Sequence, residues 1–285
     1  MMAEILVTGA NGFVGRALCE ALRARGHAVV ELSHWDGDIA DPKTLDVLGS
    51  VEHVFHLAAR TFVPDSWQDP FGFQKTNVLG TANVLEYCHK RCARMTFVSA
   101  YLYGMPDQLP VSETATPKPN NPYALSKYLA EQVCSFYAGR YQTPVTVIRP
   151  FNVFGPGQKL HFLVPHIVSQ VRNGQSIRVK DLTPRRDYVY VDDLVEALVS
   201  TLSASWGYEL LNVGSGGSLG VGELISIVQL VAGTNLPVHQ NGEIRRNEIP
   251  EVYADIAKAR ALLHWQPKTT FAQGIEQILK QELRP

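Results

Sequence analysis

Tyr123 and Lys127 stand four residues apart in Asn121-Pro122-Tyr123-Ala124-Leu125-Ser126-Lys127, and Ser99 closes an apolar run upstream of them. A phenol ionises near pH 10, so tyrosine is a poor base at neutrality unless a neighbouring ammonium favours the phenolate and lowers that value. Four residues make about one helical turn, which sets both side chains on one face. Such a phenol can move a hydroxyl proton while hydride passes between a carbinol and a nicotinamide. With the glycine-rich turn that opens the chain, the combination reads as a redox enzyme.

That turn is Thr8-Gly9-Ala10-Asn11-Gly12-Phe13-Val14-Gly15, between an apolar strand and a helix. Small residues there let backbone amides approach a pyrophosphate, and the helix N-terminus adds favourable partial charge. Gly9, Asn11, Gly12, Phe13, Val14 and Gly15 are therefore cofactor candidates. An acid ending the second strand would bind the ribose of NAD, and a base nearby would suit the extra phosphate of NADP. The segment reads Glu31-Leu32-Ser33-His34, with Ser33 at the acid's place and neither Arg nor Lys following. The cofactor is thus NAD or NADP, with Arg16 a candidate for a 2′-phosphate. Asp38 and Ile39, in Gly37-Asp38-Ile39-Ala40-Asp41, are candidates for the adenine end.

These side chains need a frame. Ile5 to Thr8, His27 to Leu32, Val51 to Leu57, Met95 to Ser99 and Val145 to Ile148 read as buried strands. Helical stretches at Gly12 to Arg25, about Phe71 to His89 and Pro122 to Tyr141 alternate with them. Strands alternating with helices predict an α/β fold, a Rossmann-type doubly wound parallel sheet. Pro122 after Asn120-Asn121 suits a capped helix start just ahead of Tyr123. After Pro150 the rhythm changes. A Gly/Pro loop from Phe151 to Lys159 precedes a helix over about Leu163 to Asn173, and the end from Val221 is mainly helical. The expected organisation is an NAD(P)-binding domain over 1–150, with return segments near 187–213, and a smaller, mainly helical substrate-binding region over 151–285 interleaved with it.

Composition narrows the partners. The 285 residues are 45% hydrophobic with a net charge of −1, enough for a core and too little field to attract nucleic acid or anionic membrane. The N-terminus lacks a basic and apolar leader pattern, and no stretch approaches 18 apolar residues, so a cytoplasmic enzyme is expected. Cys19, Cys88, Cys92 and Cys134 form no C-x-x-C pair. Cys88-His89-x-x-Cys92 lacks a convincing fourth ligand, so packing rather than metal is expected there.

Taken in order, the glycine turn, Ser99, Tyr123 and Lys127 resemble those of the extended short-chain dehydrogenase/reductases, specifically the NAD-dependent epimerase/dehydratase family acting on nucleotide sugars. Further motifs carry the resemblance over nearly the whole chain: His56-Leu57-Ala58-Ala59, Thr76-Asn77-Val78-x-Gly80-Thr81, Arg149 to Gln158, Arg186-Asp187-Tyr188 with Asp192-Asp193, and Tyr253-Ala254-Asp255. It implies that Tyr123 is the acid/base, that Lys127 holds the nicotinamide ribose and lowers the tyrosine pKa, and that Ser99 hydrogen-bonds the reacting oxygen. It also implies cofactor contacts at Leu57, Ala58, Ala59 and Asn77. Asn152, Phe162, Arg186 and Arg246 are expected at the substrate, the two arginines on its diphosphate, with His161 and Arg185 as further lining candidates. A homodimer is expected through the helices at about 71–89 and 122–141.

Departures from the family pattern select the reaction. The family's dehydratases carry an acid pair directly after the Ser/Thr, where this chain has Ala100-Tyr101, and the GDP-fucose synthases have a cysteine where Tyr101 stands. A 4-ketoreductase of a 4-keto-6-deoxy sugar nucleotide is the favoured reading, because Asp65-Ser66-Trp67, Gly155 to Gln158 and Arg246 to Pro250 look like the GDP-4-keto-6-deoxymannose reductases. A compact connection between the second and third strands agrees. The alternative is a nucleotide-sugar 4-epimerase of the UDP-glucose type, though Phe162 replaces an asparagine common in those enzymes. A non-catalytic dinucleotide sensor is the remaining alternative.

Overall fold

A computed structural model describes residues 4–242 and 248–281. The chain opens with β1 (Glu4–Thr8), buried from Ile5 onward, then α1 (Phe13–Ala24), which turns Gly15, Leu18, Cys19 and Leu22 inward. β2 (Ala28–Leu32) follows, and a single helical turn, α2 (Lys43–Asp46), precedes β3 (His53–His56), so the connection is as compact as its sequence implies. Next come α3 (Val63–Gln68), α4 (Pro70–Gln74) and α5 (Gly80–Arg91), the last two joined through a π-helical turn at Lys75–Leu79. β4 (Arg94–Val98), α6 (Pro122–Tyr141) and β5 (Val145–Pro150) complete the first half. Asn121 caps α6, its Oδ1 accepting from the Ala124 amide at 2.8 Å, and Pro122 fills the first turn where no amide partner is needed.

The second half runs β6 (Asn152–Phe154), α7 (Leu163–Asn173), β7 (Ile177–Val179), β8 (Arg185–Arg186), β9 (Tyr188–Tyr190), α8 (Val191–Ser200) and β10 (Tyr208–Val213). It ends with β11 (Leu219–Gly220), α9 (Val221–Ala232), β12 (Val238–Gln240), β13 (Glu251–Val252), α10 (Ala257–Leu263) and α11 (Phe271–Gln281). The main sheet has the order β2-β1-β3-β4-β5-β10, with every pairing parallel. β10 thus returns to the sheet edge beside β5, while α8 packs on α1. Three small sheets, β11-β8-β13, β7-β12 and β6-β9, accompany the later helices. Their strands of two or three residues are too short for an alternating pattern, so the mainly helical expectation missed them.

Two buried acids of the Arg186 to Asp193 motif tie these parts together. Asp187 accepts from the amides of Ser215 (2.6 Å), Gly216 and Ala254 (3.1 Å each). Asp193 accepts from the amides of Lys268 and Thr269 at 3.0 and 2.9 Å. Backbone donors are what make a buried carboxylate tolerable. The sheet's C-terminal edge, carrying Thr8, Leu32, His56, Val98, Pro150 and Val213, is left facing the small sheets.

Candidate active site

A cavity of about 2000 Å³ crosses that edge, from the glycine turn to β7 and β12. At the turn, the Gly9 amide donates to the Leu32 carbonyl at 2.8 Å and its φ is +73°. A Cβ on Gly9 would lie 2.7 Å from the Ala58 nitrogen, and one on Gly15 would lie 2.2 Å from the Gly9 carbonyl oxygen. The backbone is thus drawn in at the N-terminus of α1, leaving the open cradle that a dinucleotide pyrophosphate requires. Asn11, Gly12, Phe13 and Val14 line the cavity, as do Leu57, Ala58 and Ala59.

At the end of β2, Ser33 spends its amide and hydroxyl on the Asp36 carboxylate, at 2.8 and 2.7 Å. Those bonds hold the Asp36 carboxyl below its usual range. The wall itself carries Ser33, His34 and Trp35, and Asn11 Nδ2 donates to His34 Nδ1 at 3.2 Å. Asp38 and Ile39 also line it. Asp38 accepts from Lys75 (2.9 Å) and the Ala40 amide (3.0 Å), and the Lys75 bond is the larger cause of its lowered pKa. Arg16 donates to the Asn11 carbonyl at 3.0 Å.

Ser99, Tyr123 and Lys127 all line the cavity. Tyr123 is half-buried, edge-on to Phe73. Burial pushes its phenol well above the usual value, and Tyr101 adds to the shift. The expected lowering by Lys127 is not seen here: burial is the first cause of the upward shift and Tyr101 the second, while the Lys127 ammonium is bonded elsewhere. Lys127 Nζ donates to the Val98 carbonyl at 2.6 Å and lies 4.1 Å from the centre of the Phe97 ring. Burial pushes the Lys127 ammonium down to about 7.

Beneath the catalytic wall runs a directed chain of bonds. The Ala58 amide donates to Thr8 Oγ1 (3.3 Å), Thr8 to His56 Nδ1 (2.7 Å), His56 Nε2 to Thr81 Oγ1 (3.1 Å), and Thr81 to the Asn77 carbonyl (2.6 Å). This order assigns the imidazole proton to Nε2. Burial holds His56 neutral, its pKa lowered to about 3. Asn77, expected at the cofactor, instead sits below the cavity: its side chain accepts from the Arg60 amide (2.9 Å) and donates to the Arg60 carbonyl (3.0 Å) and Ser126 (2.8 Å). An amide with all those partners inside the fold braces α6 rather than facing a ligand.

On the cap side, Asn152, Phe162, His161 and Arg186 line the cavity. His161 packs on Phe62 with ring centres 4.2 Å apart. Arg186 is already engaged, donating to the Arg185 and Ile249 carbonyls (2.8 and 2.6 Å) and pairing with Glu248. Arg185 is turned away from the cavity, held by Glu223 at 3.0 Å and Ser218 at 3.1 Å. Arg246 lies outside the described residues. Cys88 is buried and Cys92 exposed at the C-cap of α5.

The sequence assigns no role to Glu131 and names Arg149 only as the start of a motif, yet the two pair directly behind Ser99. Glu131 is four residues beyond Lys127 on α6, and Arg149 is a lone charge in an otherwise uncharged strand, signals that could have been read.

A family model described as the NAD dependent epimerase/dehydratase family matches residues 5–214. The GDP-6-deoxy-D-mannose reductase of Pseudomonas aeruginosa is 32% identical over 296 residues, covering 98% of this chain and 97% of the relative. Among solved structures, RMD from Pseudomonas aeruginosa complexed with NADPH superposes with a TM-score of 0.90 at 31% identity, covering 98% of each chain. The Thermus thermophilus UDP-glucose 4-epimerase complexed with NAD gives 0.89 at 29% identity, covering 97% of this chain and 98% of that one.

Proposed function

This chain belongs to the NAD dependent epimerase/dehydratase family and is an NAD(P)-dependent enzyme of nucleotide-sugar chemistry, and on that premise we propose that it is a 4-ketoreductase of a 4-keto-6-deoxy sugar nucleotide. The observation carrying this reading is that Tyr123 and Ser99 line the same cleft as the glycine turn, and burial favours the protonated phenol there. A carbonyl being reduced needs a proton on its oxygen, and an O–H that stays intact through neutral pH is a donor. Ala100 and Tyr101 offer no carboxylate for elimination. NAD(P)H, when bound, supplies the hydride that reaches C4. Tyr123 Oη gives its proton to the C4 oxygen, Ser99 hydrogen-bonds the hydroxyl that forms, and Lys127 takes the nicotinamide ribose. Asn152, Phe162 and His161 line the sugar and nucleoside side of the cleft, where Arg186 takes the diphosphate on release from Glu248.

The test is a cofactor-monitored screen in which NADH and NADPH are each offered with GDP-4-keto-6-deoxymannose and other keto sugar nucleotides. Stoichiometric loss of nicotinamide absorbance is expected. The second reading, a 4-epimerase, is supported by the likeness to the Thermus thermophilus enzyme. Interconversion of UDP-glucose and UDP-galactose without net cofactor oxidation would decide for it. Binding of cofactor with neither reaction would favour a sensor.

A further inference from the structure

Behind Ser99 lies a buried charge pair that the proposed chemistry does not use. Arg149 grips Glu131 with two parallel bonds, Nε to Oε1 at 2.9 Å and Nη2 to Oε2 at 2.5 Å, and the two side chains are 4% and 1% exposed. The Tyr103 ring lies over the guanidinium at 4.9 Å. Tyr103 in turn donates to Asn212 Oδ1 at 2.6 Å, which ties the pair to β10. Paired in this way, Glu131 is a carboxylate, a group that only accepts hydrogen bonds. A third donor reaches it from the cleft side, because Ser99 Oγ lies 2.5 Å from Glu131 Oε1.

A serine hydroxyl has one proton and two lone pairs. With the proton directed at Glu131, the oxygen is left with lone pairs for whatever enters the cleft. We propose that Glu131, fixed by Arg149, is a positioning residue that takes the Ser99 proton and presents the Ser99 oxygen to the reacting group as an acceptor. This rests on the reading of Ser99 as part of the reactive site. A carbonyl has no proton to give such an oxygen; a sugar hydroxyl does. In the reductive direction Tyr123 transfers its proton to the C4 oxygen as hydride reaches C4, and the new O4–H then donates to Ser99. Tyr123 is thereby the donor to the carbonyl, and Ser99 receives the alcohol that forms.

The test is a double-mutant cycle on turnover, with cofactor affinity and thermal stability measured beside it. Ser99→Ala is expected to lower kcat by roughly a hundredfold, and Glu131→Gln by roughly tenfold. If Glu131 acts through Ser99, adding Glu131→Gln to Ser99→Ala lowers kcat no further, and NADPH affinity is unchanged throughout. A further tenfold loss in the double variant would reduce Glu131 to a scaffold role and overturn the proposal. Wild-type turnover that survives Ser99→Ala, or no turnover on the sugar-nucleotide panel, would overturn the reading of the site and this inference with it. Glu131→Gln leaves Arg149 buried without its full partner and can fail to fold. Replacing both residues by methionine removes the charges at similar volume, a change buried pairs often tolerate. That variant is expected to keep its melting temperature and NADPH affinity and to lose turnover only when Ser99 is present.

Discussion

The Lys127 ammonium donates to the carbonyl of Val98, the residue directly before Ser99, at 2.6 Å. One bond therefore ties the helix carrying Tyr123 to the strand end carrying Ser99, and it does so with a charge removed from water. Burial pushes Lys127 from 10.5 down to about 7. Between those values the unfolded chain holds a proton that the folded chain has released, so stability rises with pH across this window. The contribution of Lys127 is least favourable below pH 7. Lys127→Met is expected to stabilise the cofactor-free protein by a few kcal/mol near pH 6, with the advantage shrinking towards pH 10. Denaturant unfolding of both proteins at several pH values measures it. A difference that does not change with pH would refute the buried-ammonium account.

Tyr123→Phe keeps the ring packed edge-on to Phe73 and removes only the hydroxyl. Loss of a positioned proton donor is expected to lower kcat by about 10² to 10⁴. Affinity for NADPH, measured by fluorescence titration, is expected to stay within about twofold of wild type, the variant having lost an interaction needed only for the chemical step. Undiminished turnover would remove Tyr123 from the acid/base role.

The glycine turn makes a sharper structural prediction. Gly9→Ala adds a Cβ at 2.7 Å from the Ala58 nitrogen in a residue with φ +73°, so both contact and backbone oppose it. Gly26 has φ +83° with nothing within 4 Å of an added Cβ, leaving backbone strain alone. Gly26→Ala is expected to cost about 1 kcal/mol and leave NADPH affinity unchanged. Gly9→Ala should cost more and weaken NADPH by tenfold or more, since the turn packs directly on the Ala58 backbone and relieving the clash must displace the cofactor cradle. Equal affinities in the two variants would contradict that cradle.

What could be read from sequence was whatever local chemistry decides. Asn121-Pro122 fixes where α6 begins, and the spacing of Gly9, Gly12 and Gly15 fixes a turn between a strand and a helix, so both are legible without coordinates. The direction of Lys127 is not, because the Val98 carbonyl that captures it belongs to β4, and the burial that raises the tyrosine pKa is a property of the folded cleft. Asn77 misleads for a similar reason. Its motif is recognisable, but the π-helical turn at Lys75–Leu79 carries the side chain between Arg60 and Ser126. Arg186 meets Glu248 from 62 residues away, a pairing no spacing rule reports.

The outer face of α6 leads to the last prediction. Leu125, Leu129 and Phe136 are 42%, 38% and 54% exposed and lie along one stripe of the helix, with Tyr141 near its end. Apolar side chains scattered singly on a surface are ordinary; a stripe on a 20-residue helix is the pattern of a face that packs on something. A two-fold pairing of two copies through α6 and its neighbour α5 would cover the same stripe on each. Leu129→Lys sets a charge at its centre, away from the side chains that line the cleft. Sedimentation equilibrium is expected to give a dimer for the wild type and a monomer for the variant at micromolar concentration, with NADPH affinity retained. A wild type that sediments as a monomer would leave the stripe as ordinary surface and rule out the paired arrangement.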